Sequence, residues 1–422
     1  MEGDNHPYAV LVGADDVRGL YAARSLSRHD VPLIGILKER WSPAGWSRLF
    51  GRILTADTDT TEVIDLLVEL GPTFDRKPVL IPCFDTTVVL VARHRDRLDP
   101  WYHILQPDPW VVDMMMNKVN FYRYAIEHDL PIPQTSFLET RDDVVRAIEA
   151  HDFPVVVKPP GSKHPDWQAK THLKALKSGT PAELEAIFDE YGDVVDGPLI
   201  VQDWVEGGDE ALFACHVCFG RDSEPLVTFT SRKIRQWPPH TGEVSLAVEE
   251  DSPAVRRIAV RLFRKLGYRG IGYVETKRDP KSGEFFIIEP NLRISGRAGL
   301  AEASGVPLIY TLYRHAIGAP LPEGATQPNR GAKWMFARKD FQSAFYYLRT
   351  RQLSPLGWLK SISGVRADGI WAWRDPGPFL GDLLRGVFLT LSTTEREKRD
   401  FQRPLRRYNR GRRGTVKGRE DN

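Results

Sequence analysis

The stretch "GIGYVETKRDPKSGEFFIIEPNLR", residues 270–293, decides the fold. Two apolar runs, 270–278 and 284–291, flank "DPKSG" (279–283), whose residues suit a tight turn, so the spacing predicts an antiparallel hairpin. A turn centred on Lys281 sets Glu289 against Tyr273, with Glu275 diagonal to it; a turn centred one position later sets Glu275 directly opposite Glu289. In either register the side chains alternate, and Glu275, Glu289 and Asn291 share one face. A one-residue slip would send Glu275 to the other face. Two carboxylates this close repel unless something compensates them. A hard divalent cation with phosphate oxygens in its shell is one answer, and a solvated strand end is the other.

Lysines elsewhere bear on that choice. "FPVVVKPPG" puts Lys158 at the end of an apolar strand, before a Pro-Pro-Gly break. Lys118, in "MNKVNFY", opens a helix, where its charge opposes the macrodipole. Phosphate oxygens would suit both. A further strand, "LIVQDWVEGGDEALF", turns at Gly207–Gly208 and resumes at Asp209. Its backbone between Gln202 and Val205 could bond an adenine edge, with Asp209 on a ribose.

Upstream, strand-like runs at 8–13, 31–37 and 77–83 alternate with helical ones at 17–29, 60–70 and 85–97, which predicts a parallel, doubly wound sheet. "GADDVRG" lacks the middle glycine of a dinucleotide loop and puts two aspartates where pyrophosphate would lie, so the sheet reads as Rossmann-like without a dinucleotide. A helix around 113–130 leads into a region of mixed order: strands at 153–160, 172–179, 197–219 and 225–239, and helices at 181–190, 253–266 and 305–318. This is an α+β pattern. "APLPEGATQPNRG" (319–331) has the composition of a boundary. The predicted domains are therefore 1–112, 113–330 (dividing near 200), an aromatic-rich extension 331–402 and a basic tail 403–422.

The bulk composition fits a globular protein, with 41% hydrophobic and 27% charged residues in 422. No apolar run reaches 18 residues, so no membrane span is expected. The start "MEGDNHPYAVLVGADD" carries no signal-peptide pattern, which predicts a cytoplasmic protein. Three cysteines cannot build a disulfide framework, and in "CHVC" (215–218) a strand would point the two thiols to opposite faces. The net charge of +2 hides an asymmetry: residues 403–422 hold eight Lys/Arg against two acids, leaving the rest with 50 bases and 54 acids. Nucleic acid or anionic lipid could be touched only by that tail, which the pattern reads as disordered and solubilising.

Taken in order, Lys118, Lys158, "QDWVEGGD", Glu275 and "EPNLR" resemble the ATP-grasp superfamily, whose members pinch ATP between two α+β subdomains behind a Rossmann-like domain. The pattern covers residues 8–318; "SRKIRQWPPHTG" and "WAWRDPGPFL" look more narrowly like carboxylate–amine ligases related to D-aspartate ligase. The resemblance implies Lys118 and Lys158 on the ATP phosphates, Gln202, Trp204 and Val205 at the adenine hinge, and Asp209 on the ribose. It implies magnesium, or manganese in its place, on Glu275, Glu289 and Asn291, with Arg293 and then Arg297 steadying an acyl phosphate. It favours Lys174 over Lys177 for the nucleotide, and it makes the loop with Arg232, Lys233 and Arg235 a cover over substrate or triphosphate, beside the plain alternative of a solvated loop.

The implied reaction joins a small carboxylate to an amine, with ADP and phosphate released. Dipeptide ligation, a carboxylase-like step and a non-catalytic ATP-binding module are the alternatives. Dimers are common in the superfamily, so a homodimer is one expectation. One departure stands out: Pro290 precedes Asn291 where the family has an aliphatic residue, so the strand should be bulged or at an edge there. Asp85, after the strand "VLIPC", reads as a helix N-cap or a group near substrate. "GSKHPDWQAK" (161–170) reads as a phosphate lid or a surface loop.

Overall fold

A computed structural model of the chain describes residues 6–161, 165–171, 173–239, 242–323 and 326–392. The basic tail, part of the expected lid (162–164) and positions 240–241 of the basic loop lie outside the described residues. Contacts divide the chain into two units: 1–116, 123–132 and 205–382 in the first, and 117–122, 133–204 and 383–422 in the second.

The first unit opens with a five-stranded parallel sheet of β1 (Ala9–Val12), β2 (Leu33–Leu37), β3 (Arg52–Thr55), β4 (Val79–Pro82) and β5 (His103–Ile104), in the order β3-β2-β1-β4-β5. β1, β2 and β4 are buried along their whole length, as parallel strands covered on both faces must be. The helix Val17–Ser27 starts cleanly because the Asp16 carboxylate accepts the Arg18 amide. The strand order reverses between β1 and β4, so Gly13–Asp16 and Cys83–Asp85 emerge side by side at the carboxyl edge, where open α/β sheets hold ligands.

The second unit carries a four-stranded antiparallel sheet of β6 (Thr135–Leu138), β7 (Val155–Lys158), β8 (Leu176–Ser178) and β9 (Leu199–Asp203), ordered β6-β9-β7-β8. Val155, Val157, Leu199 and Val201 pack with Leu184 of the helix Pro181–Tyr191, which Thr180 caps. The helical run expected near 113–130 is two helices, Pro109–Met116 and Lys118–Glu127. The break at Asn117 coincides with a β-bridge from Asn117 to Gly161.

A seven-stranded sheet completes the first unit: β10 (Leu212–Phe219), β11 (Pro225–Trp237), β12 (Glu243–Glu249), β13 (Gly270–Arg278), β14 (Phe285–Asn291), β15 (Lys333–Met335) and β16 (Val365–Asp368). Its order is β14-β13-β10-β11-β12-β15-β16. β15 and β16 come from the aromatic-rich stretch 331–402, which thus extends this sheet. Leu11, Leu20, Phe229, Ala247, Leu300 and Trp334 belong to one apolar core, so the parallel sheet and the seven-stranded sheet share an interior.

Candidate functional site

The β13–β14 hairpin forms around the expected turn: the Gly283 amide donates to the Asp279 carbonyl at 2.8 Å, and Gly283 takes a left-handed φ of +76°. Its register is the second of the two read from sequence, with Glu275 directly opposite Glu289 and Tyr273 opposite Asn291. A bulge falls between the Glu275–Glu289 and Thr276–Ile287 pairs, and β14 is the edge strand. Both features accommodate Pro290, which has no amide to donate to a ladder.

One face of this sheet gathers Glu275, Glu289, Asn291, Tyr273, His216 and Lys233, because paired residues of antiparallel strands point the same way. Glu275 accepts a hydrogen bond from Arg297 Nη2 at 3.0 Å, and its other oxygen lies 3.8 Å from Lys233 Nζ. Lys233 is buried and also donates to Gln236 Oε1 at 3.1 Å. Arg297 is fully buried, yet its Nε and Nη1 have no hydrogen-bond partner. Asn291 Nδ2 is likewise buried and unpartnered. Orphaned buried donors of this kind are costly and call for an acceptor.

Arg293 leaves β14 and is held from the parallel sheet: its Nε donates to Asp85 Oδ1 at 2.9 Å and its Nη1 to the Tyr273 hydroxyl at 3.0 Å. Burial opposes its charge, but Tyr273, Asp85 and Glu289 outweigh that and keep it above the ordinary arginine range. Burial likewise pushes Tyr273 up to about 12. Asp85 is therefore not the helix cap read from the sequence. It is the first residue of the helix Asp85–Arg93, with Phe84 at the cap, and its carboxylate reaches Arg293. Asp16 and the buried Arg18 form an ion pair at the neighbouring strand end, with Arg18 Cζ 4.7 Å from the Phe84 ring centre.

In the second unit, Lys158 Nζ donates to Gln202 Oε1 at 2.6 Å and to the Tyr122 hydroxyl at 3.2 Å. The Lys118 amide donates to the Pro160 carbonyl at 3.1 Å, so the start of the helix Lys118–Glu127 meets the chain just after β7. Gln202 differs from its expected role. It lies mid-sheet between Thr135 and Val156, and its side chain orients Lys158 while donating to Thr135 Oγ1 at 2.8 Å. The Asp203 and Trp204 amides donate to the Gln134 and Pro154 carbonyls, so both are engaged within the second unit.

Three further residues depart from the sequence reading. Asp209 is buried, and its carboxylate accepts from Gln236 Nε2 at 2.7 Å and Tyr347 Oη at 2.9 Å, so it faces the interior and not an open ribose site. Lys174 is exposed in a bend, because β8 begins only at Leu176; Lys177 instead sits with Nζ 4.1 Å from the Trp204 ring centre. Arg232 points to the opposite face from Lys233 and pairs with Glu250. Tyr273 was missed although its period-two spacing from Glu275 could have flagged it; Asp85's partner was beyond any local signal.

Among the described residues no group of three His, Cys, Asp or Glu could hold a metal by itself. The set here is two carboxylates and a carboxamide on one strand pair, all hard oxygen donors of the kind magnesium takes. The shell would need ligand oxygens as well.

The family model for the ATP-binding domain of the carbamoyl-phosphate synthase L chain matches residues 245–324, the segment that holds Glu275 to Arg297. The chain is 24% identical to D-aspartate ligase of Enterococcus faecium over 271 residues, 62% of this chain and 64% of that one. It is 27% identical over 243 residues to the arginine-specific carbamoyl phosphate synthase large chain of Schizosaccharomyces pombe, covering 55% of this chain and 19% of that one. The chain thus spans less than two thirds of these curated relatives.

Two solved structures are similar in fold. The biotin carboxylase domain dimer of the Hydrogenobacter thermophilus 2-oxoglutarate carboxylase, solved with magnesium ADP and bicarbonate, superposes with a TM-score of 0.59 at 15% identity over 77% of this chain and 72% of that one. N5-carboxyaminoimidazole ribonucleotide synthetase of Thermotoga maritima gives 0.54 at 17% identity over 75% and 77%. The chain has the ATP-grasp fold. In sequence it is similar to ATP-grasp ligases, D-aspartate ligase among them.

Proposed function

We propose that the chain is an ATP-dependent carboxylate–amine ligase that activates a small carboxylate as an acyl phosphate and transfers the acyl group to an amine. The observation that carries this reading is Arg297: fully buried beside Glu275, with two nitrogen donors unpartnered, it is built to meet an anion. Lys118 and Lys158 are the proposed phosphate contacts, with Lys177 and Trp204 beside the hinge. Magnesium held by Glu275, Glu289 and Asn291 would neutralise charge on the phosphates.

The substrate carboxylate attacks the γ-phosphorus, and the bond to the ADP oxygen breaks. The amine then attacks the acyl carbon, the bond to phosphate oxygen breaks, and the amine loses a proton to solvent. Arg293, fixed by Asp85 and Tyr273, offers its guanidinium to the oxyanion of that second step. The crevice at the β1/β4 switch point, which Asp85 borders, is the proposed entry for the carboxylate or amine. Among the described residues no helix is long and apolar enough to cross a membrane, and a cytoplasmic location suits a consumer of ATP. A homodimer is the proposed assembly, in keeping with the dimer of the Hydrogenobacter neighbour.

The test is ADP release with a panel of amino acids and amines in magnesium buffer. Release that requires one member of each class, and that Glu289→Gln abolishes, supports the reading. Absence of any ATP or ADP binding in the presence of magnesium defeats it.

A further inference from the structure

In the second unit, a side-chain cluster lies on the opposite face of the four-stranded sheet from Lys158. His151 caps the end of the helix Arg141–Ala150, and its side chain is fully buried. Its Nδ1 lies 2.6 Å from Asp203 Oδ1, and its Nε2 lies 2.9 Å from Ser136 Oγ. A carboxylate only accepts, so Nδ1 carries the proton and donates to Asp203. In the neutral ring, Nε2 then accepts from the Ser136 hydroxyl. Two further bonds close a circuit. The Asp203 amide donates to the Gln134 carbonyl at 3.1 Å, and Gln134 Nε2 donates to the Ala150 carbonyl. The end of β9, the chain entering β6 and the last turn of the helix are thus fastened to one another.

Side chains alternate along β9, so Gln202 and Asp203 leave it on opposite faces. Gln202 orients Lys158 at 2.6 Å in front, while His151 grips Asp203 from behind. Trp204, with Lys177 Nζ 4.1 Å from its ring centre, is the next residue along the chain. An apolar ring would fill the space of His151 equally well. Only the imidazole sends directed bonds to two strands, and a buried network satisfied in this way rigidifies what it joins. We propose that His151 is a positioning residue for the nucleotide: its bond to Asp203 sets the end of β9, which orients Lys158 and leads into Trp204. This rests on the ligase reading, in which Lys158 and Trp204 meet the nucleotide.

The test is calorimetric titration of the full chain with ADP in magnesium buffer, beside hydrogen exchange of the Trp204 amide, which donates to the Pro154 carbonyl. His151→Phe should raise the Kd for ADP roughly tenfold, the worth of a hydrogen bond to a charged group, and should speed that exchange. His151→Asn should bring the Kd back to within about threefold of the wild type, because its carboxamide nitrogen takes the place of Nδ1. His151→Gln reaches only the Nε2 position and should not. Asp203→Leu cuts the same bond from the other side, so it should match His151→Phe, with little added loss in the double variant. It also reports should His151→Phe fail to fold. Unchanged affinity in folded His151→Phe overturns the proposal, as does faster exchange at unchanged affinity, which leaves a structural brace only. Rescue by His151→Gln and not by His151→Asn overturns it too, since the bond to Ser136 would then be the one that counts. A wild-type chain that binds no ADP defeats the ligase reading and this proposal together, and that failure is told apart because no variant is needed to see it.

Discussion

Arg293 owes its position to groups far away in the chain: Asp85 at the start of a helix in the parallel sheet and Tyr273 on β13. Asp85→Asn keeps the size of the side chain and removes the charge. If Arg293 acts in the acyl-transfer step, this variant should lower kcat by roughly 10–100-fold, the worth of a charge-assisted hydrogen bond, with little change in KM for ATP. An equal rise in KM for ATP at unchanged kcat would place Arg293 on the nucleotide instead.

His216 gives a second residue-scale prediction. It stacks on Tyr273 at 5.6 Å and near Phe229 at 6.1 Å. Burial first, then Arg297, hold its pKa down to about 3, with Glu275 opposing. An unfolded histidine titrates near about 6.5, so between those values the unfolded chain binds the extra proton and stability falls as pH drops. The contribution is complete above about 6.5 and is lost on acidification at roughly 1.4 kcal/mol per pH unit. His216→Phe removes it. Denaturant unfolding from pH 6.5 to 4 should show the variant gaining on the wild type by about that slope; a pH-independent difference would refute the assignment. Lys158 and Lys118 stood out in the sequence by standing at the end of an apolar strand and the start of a helix, and Glu275 by sharing a strand face with Glu289. Asp85's role did not, since its partner lies 208 positions away.

At the scale of elements, strand parity decides which basic residue of β11 counts. Lys233 is buried and faces Glu275, while Arg232 turns to Glu250 on the other face. Lys233→Met should cut turnover by at least tenfold, and Arg232→Met should leave it within about twofold, since an exposed ion pair contributes about 0–1 kcal/mol. Equal losses from both would contradict the parity. The residues of "SRKIRQW" do not reveal which of them point inward, because a strand buried on both faces shows no clean alternation. The same ambiguity covered Lys174 and Lys177, where the true strand is only Leu176–Ser178. The hairpin register was undecided for a different reason. The bulge after Glu275 changes the pairing midway, so no single turn centre describes both halves.

For the whole molecule, alternation of strands and helices exposed the α/β and α+β parts, since burial on two faces and on one face leave different patterns. Sheet order was hidden. β15 and β16 are three and four residues long, too short for periodicity, yet they carry the aromatic-rich stretch onto the edge of the large sheet. From there Tyr347 reaches Asp209, and Asp340 pairs with Arg235 at 2.8 Å, both buried. These long-range bonds explain why Asp209, taken from sequence as a ribose contact, is spent inside the fold.

Activation of a carboxylate by phosphoryl transfer leaves a mark that oxygen tracing reads. The carboxylate found in the substrate screen is labelled with oxygen-18 and turned over with ATP, magnesium and the amine. Each turnover should deliver one labelled oxygen to inorganic phosphate, because the acyl carbon–oxygen bond breaks when the amine attacks. Amide formation with unlabelled phosphate would contradict it.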